Sequence, residues 1–477
     1  MSTATPEACV QSTDLRRRFE ALRGAARKAD LSYRDRVDAL RKLEQALLRR
    51  KDEIVQTISA DFNGRAAEET LALDLFPTLN EIRYAVKNLK DWMTPRSVPL
   101  GWQFWPGRAR IQYQPLGAIG VLAAWNYPLF LGLAPVIGAI AAGNRVMLKP
   151  SELAPRSADL LASLIGELYP PEFVTVVTGD GKVAAEFSAL PFDHLLFTGS
   201  TRVGKMVMRA ASENLTPVTL ELGGKSPALI HPDFSIQRAS ESILAGKLFN
   251  AGQTCVAPDY VLVSENRLSE FLDTSKRVIA RMYPRLVDNP DYTRIINASH
   301  YRRLRELTDG ALAHGSHAFE VNPANEACNE TNRVFPPMLL SHVPDDADVM
   351  HEEIFGPVLP IVTYSRLSDA IAYINARPHP LALYYFDDNS GRVKHLLDHT
   401  RAGGVTVNDC MFHVGQPCLP FGGVGPSGMG QYHGFDGFAT FSKKKPVFLQ
   451  SRFTTLGLMR PPYGATARRL LKFIIGS

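Results

Sequence analysis

The chain has 477 residues, 53 basic against 48 acidic, with a formal net charge of +5, 45% hydrophobic and 21% charged residues. That length accommodates two or three domains with full cores, and 35 glycines with 33 prolines fall well below the roughly 25–30% share of low-complexity chains, which excludes disorder and fibres. The surplus of positive charge is small, and acids are interspersed even in the basic stretch Arg16 to Lys51, so a nucleic-acid partner is not expected.

In chain order, the opening Met1-Ser-Thr-Ala-Thr-Pro-Glu lacks a basic segment followed by an apolar one, so no secretory signal is expected. Helical periodicity runs from about Asp14 to Asn63 and again from Leu71 to Trp92. Gln103 to Gln114 reads as an extended segment outside any βα rhythm. The charge-free run Ile111 to Asn144 is long enough to span a bilayer, but Pro115, Pro128 and Pro135 interrupt it. It reads instead as a buried strand over Gly117 to Ala124, an Asn126-Tyr-Pro turn and a buried helix ending near Gly143.

From there short apolar strands alternate with helices: Arg145–Leu148, Val174–Val177, His194–Phe197, Val218–Glu221 and Ala228–Ile230, then Tyr260–Val263, Val358–Tyr364, Ala382–Phe386 and Gly404–Asn408. Such alternation predicts an α/β fold with two parallel-sheet domains covered by helices, closely packed because no flexible linker separates them. Val447 to Phe453 reads as a second extended segment, able to form with Gln103–Gln114 a small arm that pairs with another subunit. The terminal Arg468 to Ile475 forms a basic amphipathic helix that either touches a membrane surface or, as expected here, docks on its own or a partner subunit.

Three glycine-rich loops compete as nucleotide cradles. Gly423-Val-Gly-Pro-Ser-Gly428 matches GxGxxG in letters, yet prolines crowd it and no strand leads into it. Gly179-Asp-Gly-Lys-Val-Ala184 follows a strand and opens a helix, with the third glycine relaxed to alanine. Thr198-Gly-Ser-Thr-Arg-Val-Gly204 also joins strand to helix: Gly199 permits close approach, and Ser200 either binds a phosphate oxygen or simply caps the helix. Upstream, Lys149-Pro-Ser-Glu152 sets a cation and a carboxylate at a strand end, where a carboxylate suits ribose hydroxyls.

Five cysteines (Cys9, Cys255, Cys328, Cys410, Cys418) are scattered without a CxxC pair. Neither a disulfide framework nor a metal site is expected, and a reducing cytoplasm fits. Cys255, in Phe249-Asn-Ala-Gly-Gln-Thr-Cys-Val, sits on a turn between helix and strand. A free cysteine is ordinarily a small buried hydrophobe, but a loop combines exposure with backbone donors that favour thiolate. Glu221, bracketed by leucines and glycines, is either a base with a raised pKa or a structural carboxylate capping nearby N–H groups.

In order along the chain, Trp125-Asn-Tyr-Pro128, Leu148-Lys-Pro-Ser-Glu152, Phe197-Thr-Gly-Ser-Thr201, Leu220-Glu-Leu-Gly-Gly-Lys225, Gly252-Gln-Thr-Cys255, Glu352-Glu-Ile-Phe-Gly-Pro357 and Pro420-Phe-Gly-Gly423 resemble the aldehyde dehydrogenase superfamily from about Leu15 to Phe453. The resemblance implies an NAD-binding Rossmann-like domain over 1–100 and 117–223 and a catalytic domain over 224–425. It also implies an oligomerisation arm over 101–116 and 426–455, a tail over 456–477, and a homodimer or homotetramer. It implies Cys255 as thiolate nucleophile, Asn126 with the Cys255 N–H as oxyanion hole, and Glu221 as the water-activating base. Trp125, Lys149, Glu152, Gly179, Gly199, Ser200, Glu353 and Phe355 would hold NAD, with NADP open because Glu152 opposes a 2′-phosphate that some relatives nevertheless accept.

Gly101-Trp-Gln-Phe-Trp-Pro-Gly107 and Ala210-Ala-Ser-Glu-Asn-Leu-Thr216 are most similar to the coniferyl-aldehyde dehydrogenase branch. A phenylpropenal oxidised to its acid would be the reaction, with Tyr127, Phe412 and Phe421 as aromatic tunnel walls. Other aryl or medium-chain aldehydes, a coenzyme-A-acylating relative and a non-catalytic relative are the alternatives; the presence of Glu221 argues against the second, and that of Cys255 and Asn126 against the third.

Overall fold

A computed structural model describes residues 12–454, 457 and 460–476; Cys9 lies outside them. Its main feature is a pair of sheets, one of six strands and one of seven, with a separate three-stranded antiparallel sheet.

In the six-stranded sheet the order is Gly428–Met429, Val218–Glu221, His194–Thr198, Ala118–Leu122, Arg145–Lys149 and Val174–Val176. The four strands from Ala118 to Thr198 are buried along their whole length, as expected of parallel strands covered on both faces. From Ala118–Leu122 the chain builds outward through Arg145–Lys149 and Val174–Val176. It then returns to the other side with His194–Thr198 and Val218–Glu221. This reversal opens a crevice beyond the carboxyl ends of Ala118–Leu122 and His194–Thr198, where α/β sheets bind ligands. Trp125-Asn126 and Gly199-Ser200 leave those two ends.

Helix Pro128–Ala142 follows directly. Its sides are apolar all round and only Gly138 escapes full burial, so it is a core helix. Pro128 occupies the first turn, where a missing N–H costs nothing, and Gly143 ends it in the left-handed region at φ 94°. Among the described residues no helix is long and apolar enough to cross a membrane.

The seven-stranded sheet runs His317–Glu320, Met338–Ser341, Val358–Tyr364, Tyr260–Ser264, Pro227–Ile230, Ala382–Phe386 and Gly404–Val407. Two features depart from the all-parallel expectation. His317–Glu320 pairs antiparallel with Met338–Ser341, and Gly428–Met429 pairs antiparallel with the Glu221 strand. Both are short edge strands without the apolar runs that mark central ones. The letter-perfect GxGxxG therefore serves as an edge ribbon: a Cβ on Gly428 would lie 2.6 Å from the Leu220 carbonyl oxygen.

The arm sheet joins Arg96–Val98, Arg108–Pro115 and Ser442–Leu449. A short 3-10 turn, Trp102–Phe104, occupies the start of the segment expected to be extended, and the later strand begins at Ser442 instead of Val447. The terminal helix spans Ala465–Ile475 and packs Phe473 against Trp102, with ring centroids 6.1 Å apart.

Candidate active site

The segment carrying Cys255 is built on unusual backbone. Asn250, Ala251 and Gly252 take φ of 53°, 51° and 76° in succession. Left-handed geometry at two non-glycine residues costs of order 1 kcal/mol each and persists only where the surroundings enforce it. The Gln253 side chain supplies part of that enforcement: its amide donates to the Asn250 and Arg294 carbonyls at 2.9 and 3.0 Å, and its oxygen accepts from the Ile296 N–H at 2.9 Å. Gly252 is required sterically, since a Cβ would meet the Gly356 oxygen at 2.3 Å. Asn126 is buried and donates to the Gln253 carbonyl at 3.1 Å, which ties the sheet crevice to the cysteine loop. One amide hydrogen of Asn126 remains for a ligand.

Below this loop lies a polar network that no sequence motif announced. Arg65 and Asp74 pair at 3.0 Å with both side chains fully buried, and Arg65 also donates to the Asn126 carbonyl at 3.0 Å. Its guanidinium stacks over Phe62 and Tyr127 at 5.2 and 4.8 Å. Glu69 accepts from the Asn250 N–H at 3.0 Å and from the Thr293 hydroxyl at 2.5 Å. Asp74 sits in a single π-turn, Leu71–Leu75, the kind of local widening often found at functional sites. Arg65 and Glu69 fall between the two helical periods of the sequence, and only Asp74 lies inside one.

Cys255 is half-buried. Burial pushes its thiol up to about 12, with Glu353 and Glu221 adding to the shift. Here the structure corrects the expectation of a thiolate-favouring loop: the backbone N–H groups of Cys255 and Val256 act in the expected direction but are outweighed by desolvation and two facing acids. Glu221 is fully enclosed, neither side-chain oxygen has a hydrogen-bond partner, and burial drives its pKa well above the usual carboxylate range. This contradicts the capping alternative, and burial favours the protonated form of the acid. Cys410 is buried and Cys418 exposed; Cys328 lies between them in exposure. Among the described residues no cluster of histidine, cysteine and acidic groups could hold a metal ion.

At the crevice, Lys149 is buried and its ammonium donates to Glu152 at 3.1 Å and to the Pro150 carbonyl at 3.1 Å. Asp180, next to Gly179, caps helix Gly181–Ser188 by accepting from the Lys182 and Val183 N–H groups. Ser200 caps Thr201–Ser212 through the Val203 N–H, and a Cβ on Gly199 would meet the Phe197 ring at 2.6 Å. Capping and packing thus account for Ser200 and Gly199 without a ligand. Trp125 and Phe355 meet with ring centroids 5.4 Å apart. Glu353 lies over Gly223, where a Cβ would fall 2.1 Å from a carboxylate oxygen; one of its oxygens is unpartnered and burial raises it to about 8. A cavity of about 530 Å³, lined in part by Thr201, Gly223, Lys225 and Glu353, opens beside it.

A model of the aldehyde dehydrogenase family matches residues 8–447. The chain belongs to the aldehyde dehydrogenase family. It is 50% identical over 436 residues to a probable coniferyl aldehyde dehydrogenase of Pseudomonas aeruginosa, covering 91% of this chain and 90% of the relative. It is 45% identical over 444 residues to the coniferyl aldehyde dehydrogenase of Pseudomonas sp. strain HR199, covering 92% of each. The fold matches the substrate-bound AldH of Staphylococcus aureus with a TM-score of 0.90 at 37% identity, over 96% of this chain and 99% of the other.

This aldehyde dehydrogenase is an NAD(P)-dependent oxidoreductase acting on aldehydes. The residues present fit the cofactor: an amine and a carboxylate at the end of the strand Arg145–Lys149 for hydroxyl groups, and a buried Glu353 oxygen without a partner in a residue that lines the cavity. Of the expected tunnel walls, Tyr127 is buried with its hydroxyl on Thr254 at 2.5 Å. Phe421 is buried against Tyr432 and His433. Phe412 is 63% exposed.

Proposed function

We propose that the enzyme oxidises coniferyl aldehyde, a phenylpropenal, to ferulate through a thioester on Cys255. The observation that carries the chemistry is Glu221, a dry carboxyl group that shifts the Cys255 thiol and has no structural hydrogen bond of its own. Cys255 releases its thiol proton to solvent water, its sulfur attacks the aldehyde carbon, and the oxygen that gains charge is met by the free Asn126 amide hydrogen and the Cys255 N–H. Each such donor contributes roughly 3 kcal/mol in the transition state. When bound, NAD(P)+ supplies the hydride acceptor. Glu221, once deprotonated, takes a proton from water, which attacks the thioester and releases the acid.

Lys149 and Glu152 hold the adenosine ribose, Gly199 and Ser200 flank the pyrophosphate with Gly179 behind the adenine, and Trp125, Glu353 and Phe355 frame the nicotinamide side. Glu152 disfavours a 2′-phosphate, which supports NAD+ as the preferred cofactor, and its ion pair with Lys149 tempers that preference enough for NADP+ to be used.

The substrate reading is supported by relatives at 45–50% identity and by aromatic Tyr127 and Phe421. Its test is kcat/KM for coniferyl aldehyde, benzaldehyde, hexanal and acetaldehyde with both cofactors. Coniferyl aldehyde is expected to lead, and a flat profile overturns the assignment. The division into cofactor domain, catalytic domain and arm belongs to the same reading, as do a cytoplasmic location and a homodimer or homotetramer joined through the arm; light scattering in solution tests the last.

A further inference from the structure

One turn beyond Asn126, Phe130 of helix Pro128–Ala142 packs on a buried polar cluster that the catalytic steps above do not use. Its ring lies 5.5 Å from the imidazole of His433, whose plane stacks on Phe421 at 5.1 Å and 14° and which Tyr432 meets edge-on at 4.4 Å. His433 is 3% exposed, yet neither ring nitrogen has a hydrogen-bond partner, and the buried Tyr432 hydroxyl has none either. Glu81, from helix Phe76–Met93, is also buried. One of its oxygens accepts from the Gly434 N–H at 3.1 Å, and the other stands 3.8 Å from His433 Nδ1.

Buried polar groups without partners cost about 1–3 kcal/mol each and are few in native proteins. Two such side chains within one aromatic cluster, beside a half-satisfied carboxyl, call for a ligand. The cluster is joined to the Glu221 strand through the backbone. Tyr432 and His433 follow the ribbon whose Gly428 pairs with Glu221, and the Tyr432 phenol feels Glu221, Cys255 and Glu81 together. Burial keeps the His433 imidazole neutral and holds Glu81 near 7, so the pair offers both a donor and an acceptor without a fixed cation. At 3.8 Å the two atoms are too far apart to bond each other, while a single hydroxyl oxygen can sit within hydrogen-bond reach of both.

We propose that Glu81 and His433 form the polar end of the substrate tunnel and bind the phenolic hydroxyl of an aryl aldehyde, with Phe130, Phe421 and Tyr432 flanking its ring. This rests on the phenylpropenal reading above. An aliphatic aldehyde leaves the pair unsatisfied, which is how a site built for a hydroxyl discriminates against analogues lacking one.

The test compares kcat/KM for 4-hydroxycinnamaldehyde and cinnamaldehyde, which differ by one oxygen, in the native enzyme and in Glu81→Ala, His433→Phe and His433→Gln. The native enzyme is expected to favour the hydroxylated substrate by about tenfold or more. In Glu81→Ala and His433→Phe that ratio falls to near one, chiefly through the KM of the hydroxylated substrate, and His433→Gln, which keeps a donor and an acceptor, restores part of it. Both substrates are assayed on one preparation, so any loss of folded enzyme cancels in the ratio. A native ratio near one means that the pair holds only water and overturns the proposal. A native preference that survives Glu81→Ala and His433→Phe also overturns it, leaving the phenylpropenal reading intact. Hexanal outpacing both cinnamaldehydes in the native enzyme overturns the two together.

Discussion

The two sides of the active-site crevice satisfy their polar groups in opposite ways. On the cofactor side, Lys149 reaches Glu152, Asp180 accepts two backbone N–H groups and Ser200 caps its helix. On the catalytic side, both Glu221 oxygens and one Glu353 oxygen have no partner, and the cysteine loop holds two non-glycine residues in the left-handed region. The first side is close to a relaxed protein surface with a ligand-shaped opening. The second keeps unsatisfied groups in a dry place, where a proton or a developing charge is felt most strongly. Binding of the adenosine end of the cofactor is assigned to the comfortable half; the chemistry, together with the nicotinamide contact of Glu353, is assigned to the uncomfortable one.

The contrast is broken most severely at Glu221. Glu221→Gln keeps the shape and removes the base, so steady-state turnover is expected to fall about 10²–10⁴-fold while rapid mixing still shows a burst of reduced cofactor. A missing burst would place Glu221 before hydride transfer and assign it the thiol proton as well. Asn126→Ala is expected to lower kcat about 10²–10³-fold with a smaller change in KM for the aldehyde. A change confined to KM would mean that Asn126 organises the loop through Gln253 and does not meet the oxyanion.

Next in size is the support beneath the loop. Arg65→Ala leaves Asp74 buried without its partner, a change expected to cost about 3–5 kcal/mol, read as a lowered Tm. Replacing both as Arg65→Met with Asp74→Leu is expected to recover most of the Tm but not the kcat, because the Asn126 carbonyl then loses one of its two donors and keeps only the Asn250 amide. Full recovery of kcat by the apolar pair would show that the network stabilises the fold and does not set Asn126.

The same contrast governs what the sequence disclosed. The strand-end and turn placements of Cys255, Glu221, Lys149 and Gly199 are legible because each lies within a short local string. Arg65, Glu69 and Asp74 were not, since their roles depend on partners that only folding brings close: Thr293 lies 224 residues beyond Glu69. Cys255 illustrates the same limit in one residue. Its loop placement was readable, but the direction of its thiol shift is decided by burial and by Glu353, almost a hundred positions away in another string. Edge strands Gly428–Met429 and His317–Glu320 escaped for a related reason: one flank of each is unpaired, so neither carries the apolar run that betrays a central strand.

The smallest expected effect is on stability against pH, and here the two sides should differ in sign. Glu353 sits at about 8 in the fold against 4.5 ordinarily, so the folded enzyme holds a proton that the unfolded chain releases. Stability from this group is therefore complete below about pH 4.5 and declines as pH rises toward 8, by up to about 1.4 kcal/mol per pH unit. Glu81, raised to about 7, acts in the same direction over a narrower range. Asp180 is opposite: the Val183 and Lys182 N–H groups hold its carboxyl below 3.8, so its contribution is present at neutral pH and is lost only as pH falls through its lowered value. Urea unfolding without cofactor is expected to show a midpoint that drops between pH 5 and pH 8, with Glu353→Gln flattening that decline and Asp180→Asn leaving it in place. A decline that Glu353→Gln does not alter would mean that solvent reaches this carboxyl before cofactor binds, and the catalytic half would then be no drier than the cofactor half.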